Sequence, residues 1–90
     1  MSIERIITNS KKDEDGDITA IGKPSEYWSP VSKAEAIKQI ENNTYVYYSQ
    51  NPTCTTRSKI GVINDSTKGK YLRTVADGDP KNNLDNLPNL

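Results

Sequence analysis

Ninety residues with twelve basic and twelve acidic side chains carry no net charge, which excludes the long-range pull that drives avid nonspecific binding to a polyanion or an anionic bilayer. Histidine is absent and there is one cysteine, so Ser-His-Asp and Cys-His catalysis, the commonest zinc ligand and an internal disulfide are excluded. Apolar residues make up 32% and phenylalanine is absent, so one small domain spanning the chain is expected, with a thin core whose large side chains are five tyrosines and one tryptophan.

Residues 3–8 (IERIIT) read as a first strand, rich in β-branched residues. Residues 9–17 (NSKKDEDGD) are polar and end in a glycine-containing turn, and residues 18–23 (ITAIGK) read as the second strand of a hairpin. The alternating carboxylates of Asp13, Asp15 and Asp17 look like the start of a calcium loop. That motif demands glycine where this chain has Ile18 and glutamate where it has Pro24, so the stretch is read as a solvated turn. Residues 23–30 (KPSEYWSP) form a connection bounded by prolines. Its Tyr27 and Trp28 either plug the end of the core or anchor a partner, because such aromatics are enriched at interfaces.

The clearest local signal is VSKAEAIKQIENN, residues 31–43. Ser32 and Glu35 have capping-box spacing, Val31 and Ala36 sit where a hydrophobic staple falls, and Ala34, Ile37 and Ile40 share a face. Asn42 and Asn43 end this helix, since asparagine tolerates the left-handed conformation. Residues 44–49 (TYVYYS) form a third strand. Residues 50–57 (QNPTCTTR) form a polar loop whose Cys54 has only Arg57 or Lys59 to activate it, so it reads as an incidental thiol. Residues 58–64 and 70–75 flank the turn DSTKG as a second hairpin. The expected fold is therefore α+β: a mainly antiparallel sheet of about five strands in the order β-β-α-β-β-β, with the helix on one face and an ordered C-terminal tail. Ile60, Val62 and Leu72 are expected to meet Ile37 and Ile40. The opposite face is expected to carry some of Tyr45, Tyr47, Tyr71 and Arg73. Such a face would stack bases as RNA-binding sheets do, although no RNP-type motif is present.

In the tail, Leu84, Leu87 and Leu90 recur every third residue and are expected to fold back on the core, with residues 77–80 as the redirecting turn. Arg73 is expected to bond Asp77, Asp85 or a tail carbonyl. The other reading is that Arg73 and the aspartates bind an ion or a partner. Asp77, Asp79 and Asn82 offer oxygens without completing a tight metal site.

The run Tyr71, Leu72, Arg73, Thr74, followed by Asp77, Asn83–Leu84, Asp85, Asn86–Leu87 and Pro88, resembles the uncharacterised prokaryotic family catalogued as domain of unknown function 3892. Ser32, Glu35, Ala36 and Ile37 also match its Ser-x-x-Glu-Ala-Ile helix. The resemblance covers most of the chain. It departs at residues 42–57, which lack a glycine after the helix and carry a longer polar loop. It implies a fold and no activity.

Function is expected to be binding without catalysis, most simply to another protein, with single-stranded nucleic acid as the alternative partner. No cofactor is expected. No apolar run approaches the roughly 20 residues that cross a bilayer, and MSIERIITNS lacks a signal peptide's apolar stretch, so the cytoplasm is the expected compartment and no membrane is expected as a partner. The candidate binding surface comprises Tyr27, Trp28, Tyr45, Tyr47, Tyr71, Arg73, Asp77 and Asp85.

Overall fold

The computed structural model describes residues 3–67, 69–74 and 80–90. Its elements in chain order are β1 (Ile3–Ile7), β2 (Asn9–Lys12), β3 (Ile18–Gly22), β4 (Val31–Ser32), α1 (Lys33–Glu41), β5 (Tyr45–Ser49), β6 (Ser58–Asp65) and β7 (Gly69–Thr74), followed by 3₁₀ turns at Pro80–Asn82 and Leu84–Asn86. The α+β class holds. The single sheet does not: the strands form a four-stranded mixed sheet, β1-β5-β6-β7, and a three-stranded antiparallel sheet, β2-β3-β4.

The difference begins at Thr8. The expected hairpin partner of 18–23 was 3–8, but β1 instead pairs in parallel with β5, placing Ile3 beside Tyr45, Arg5 beside Tyr47 and Ile7 beside Ser49. The polar residues of β2 pair with β3, matching Asn9 with Gly22 and Ser10 with Ile21. Ladder bonds are made by backbone, so a polar run joins a sheet if the alternate residue fits inside. Here Ser10 is small and fully buried.

Helix α1 starts at the expected cap, of whose box the bond to the Ser32 hydroxyl is the half observed. Ser32 Oγ accepts from the Glu35 N–H at 3.2 Å. At the other end Asn43 takes φ 57°, the Asn43 N–H donates to the Ile40 carbonyl and the Thr44 N–H to the Gln39 carbonyl, which is a Schellman cap with asparagine in the usual glycine place. The buried face is Ala36 and Ile37 with Ile40 at its margin, and Ala34 is exposed. At 100° per residue, positions 36, 37 and 40 cluster, and position 34 falls more than a quarter-turn from the centre of that cluster.

The core lies between the inner face of the large sheet (Ile7, Tyr47, Ile60, Leu72), the helix, the small sheet (Ile18, Ile21, Val31) and the tail (Leu84, Leu87). Gly22 is needed for a close approach: a Cβ there would run into Ser29 Oγ, which accepts from the Lys23 N–H at 3.0 Å.

The tail folds back as expected for Leu84 and Leu87, while Leu90 stays 40% exposed. It is gripped by its backbone. Ser10 Oγ donates to the Leu84 carbonyl (2.7 Å), Lys12 Nζ to the Leu87 carbonyl (3.2 Å), and Ser49 Oγ to the Asn82 carbonyl (2.5 Å). The Ser10 N–H bonds the Pro88 carbonyl and the Leu90 N–H returns to the Ser10 carbonyl, both at 3.0 Å. Fully buried Asn82 is the hub. Its Oδ1 accepts from the Asn51 N–H (2.7 Å) and its Nδ2 donates to the Thr56 carbonyl (2.9 Å), which ties the 50–57 loop to the tail.

Candidate functional site

Chain parity divides the expected tyrosine face. Ser49 pairs with Ser58 and Tyr48 with Lys59, so Tyr45 and Tyr47 share the inward side with Ile60, whereas Tyr71 pairs with Ile63, and Arg73 with Gly61, on the outward side. Tyr47 is fully buried and Tyr45 partly so, and neither joins Tyr71 and Arg73 in a common surface. Arg73 is exposed. The two ion pairs among the described residues are Arg57–Glu4 (3.5 Å) and Lys70–Glu41 (2.8 Å), so Arg73 is not paired with Asp85. Asp85 is exposed in the second 3₁₀ turn, and Asp77 lies outside the described residues.

Three of the candidates, Trp28, Tyr45 and Tyr47, meet at one corner, and Tyr27 precedes Trp28 in the loop that closes it. In the loop after β3, the Glu26 N–H donates to the Lys23 carbonyl (2.8 Å) and the Ser29 N–H to the Glu26 carbonyl (3.2 Å). These successive turns leave Tyr27 at the tip, 93% exposed, and direct Trp28 inward, edge-on to Tyr47 with centroids 6.2 Å apart at 70°. Trp28 thus serves the core edge while Tyr27 stands in solvent. Arg5 enters from β1. Its guanidinium carbon lies 3.5 Å from the Tyr45 ring centroid and 4.8 Å from that of Trp28, and Nη1 donates to the Tyr47 hydroxyl at 3.1 Å. The Tyr47 hydroxyl in turn donates to Gln39 Oε1 on α1. An open cleft of about 200 Å³ beside this group is lined by Glu4, Arg5, Ile6, Lys23, Glu26 and Trp28. Ligand pockets for whole small molecules run to about 300–1,000 Å³, so this one suits a single side chain.

Arg5 was not singled out from sequence, yet a signal was there: it is a cation at the inward parity of a strand whose neighbours Ile3 and Ile7 invite an apolar residue. Stacked rings take the place of a carboxylate partner.

Burial raises the Tyr47 phenol above its ordinary pKa of 10.0, and the hydrogen bond and charge of Arg5 only partly counter this. A raised folded-state pKa means the native protein holds its proton longer than the unfolded chain. The contribution is complete below the unfolded tyrosine value and is lost as pH rises through the folded one. Denaturant midpoints are expected to fall above about pH 10, with Tyr47→Phe falling less steeply than wild type. Equal slopes in the two proteins would assign alkaline sensitivity to other groups.

Asp13, Asp15 and Asp17 bring carboxylate oxygens within 4.8 Å of one another at an exposed hairpin tip. One oxygen of Asp13 accepts from the N–H groups of Asp15 and Asp17, both at 2.9 Å, so it serves the turn itself.

A family model described as "Protein of unknown function (DUF3892)" matches residues 5–88, almost the entire chain. No curated protein and no solved structure gives a significant match.

Proposed function

Because the chain belongs to the DUF3892 family, whose description assigns no activity, we propose a function from its own surface: a non-enzymatic module that binds another protein through the Tyr27–Trp28–Arg5 corner. The observation that carries this reading is the 93% exposure of Tyr27 beside a cleft sized for one side chain. A large ring held out on a loop fixed by its own turns loses little entropy on docking, which is why tyrosine is frequent among interface anchors. The cleft's mixed lining, two acidic and two basic side chains, suits a polar rim around that anchor. A cytoplasmic setting is part of the proposal, supported by the single cysteine.

The discriminating substitution is Tyr27→Ala. With its side chain already in water, it is expected to change folding stability by less than about 0.5 kcal/mol, and to weaken partner binding by at least about tenfold if Tyr27 anchors the contact. Trp28→Ala, by contrast, is expected to cost both binding and stability, since Trp28 packs on Tyr47. Unchanged binding by a folded Tyr27→Ala protein would refute the corner as the contact.

A further inference from the structure

We propose that the outer face of the four-stranded sheet is a second binding surface, one that takes a short single-stranded nucleic acid. The pairing register fixes this face: Glu4 and Ile6 from β1, Val46 and Tyr48 from β5, Lys59, Gly61 and Ile63 from β6, and Tyr71 and Arg73 from β7. The helix, the small sheet and the tail all contribute to a core on the other side, and none of these nine residues is buried. At its β1 edge Glu4 and Ile6 also line the corner cleft and Arg57 lies over Tyr48, while Lys59, Ile63 and Arg73 on β6 and β7 are exposed.

Its chemistry is aromatic and basic. Tyr48 sits beside Lys59 and Tyr71 beside Ile63, so the two rings stand diagonally across three strands. Four residues along a strand and two strand spacings across it separate them by about 16 Å. Between them lies Gly61, where a Cβ would meet nothing within 4 Å, so the middle of the platform is open, and Arg73 is its cross-strand neighbour. Rings separated by an open floor suit unpaired bases, which present flat faces that a duplex hides.

Charge favours the same occupant. Arg57 lies over the Tyr48 ring at 4.7 Å and is paired with Glu4, while Lys59 and Arg73 have no ion-pair partner among the described residues. The acidic residues near the face are Glu4 and, at the end of β6, Asp65, whose Oδ1 accepts from the Thr67 N–H. Among the described residues, two cations on this sheet face thus have no ion-pair partner in a chain that is neutral overall. Two or three phosphate contacts give modest, salt-dependent binding, in keeping with zero net charge.

The test is fluorescence anisotropy of a labelled oligothymidylate of about eight nucleotides, a length within single-strand site sizes. Affinity is expected to fall about tenfold between about 50 and 200 mM salt, as two to three phosphate contacts require. Tyr71→Ala is expected to weaken binding at least about fivefold, and Arg73→Ala to flatten the log–log salt slope by about 0.7. Tyr27→Ala is expected to leave this binding unchanged, which separates it from the protein contact. Backbone amide shifts in the wild-type protein give a readout independent of variant folding, and should centre on Tyr48, Gly61 and Tyr71. No binding at low salt, or shifts confined to another face, would overturn the proposal. So would sedimentation showing a dimer that Ile63→Arg dissolves, because a second copy would then occupy the face.

Discussion

Ending the chain before Pro80 is expected to abolish cooperative unfolding. The missing segment carries Leu84 and Leu87, 5% and 4% exposed, and burying each is worth about 1.5–3 kcal/mol. Removing it also strips acceptors from the buried Ser10 and Ser49 hydroxyls. A domain of this length has about 5–13 kcal/mol in all, so the loss approaches the total. The truncated protein should give a broad, shallow urea profile by Trp28 fluorescence and poor dispersion of amide signals. A transition with the steepness and midpoint of the full chain would show that the tail is an appendage and that the core closes without it.

Asn82→Ala is the second large effect, and it comes from one amide. The substitution leaves the Asn51 N–H and the Thr56 carbonyl without their partner, and removes a weaker contact at 3.4 Å to the Ser58 hydroxyl. Both lost partners are only part-buried and can turn to water, so most of the cost is the space and the lost contacts of the fully buried amide, and roughly 1–3 kcal/mol is expected. The urea midpoint measures it. Asn82→Asp keeps an acceptor for Asn51 but loses the donors and turns an oxygen toward the Thr56 carbonyl, so it should rescue little. A loss below about 0.5 kcal/mol for Asn82→Ala would mean that water replaces the amide and the 50–57 loop is not held by the tail.

Both predictions rest on parts of the molecule that differ in how far the sequence reveals them. Local signals were readable: the Ser32 cap, the left-handed Asn43, the 58–74 hairpin and the inward turn of Leu84 and Leu87 all follow from short-range chemistry. Long-range pairing was not. Nothing in IERIIT distinguishes a hairpin partner from a parallel one, and the β1–β5 ladder joins residues some forty positions apart. Tyrosine parity failed for a related reason. Tyr45 and Tyr47 share one face by alternation alone, but which face depends on pairing Ser49 with Ser58, and a one-residue slip would have reversed it. Such a slip would exchange Tyr47, in the core, with Tyr48, on the outer face. Buried polar residues are the least legible, because Ser10 and Asn82 have the composition of loops and are buried only through partners elsewhere in the chain.

The corner at Tyr27 remains the centre of the account, and capture from cells tests it most directly. Tagged wild-type and Tyr27→Ala proteins would be used as bait in lysate of the source cells, each with and without nuclease. The account predicts a defined protein partner that survives nuclease on the wild-type bait, is lost on Tyr27→Ala, and binds the purified wild-type protein alone. An identical set of partners on both baits, with Tyr27→Ala shown to be folded, would contradict it.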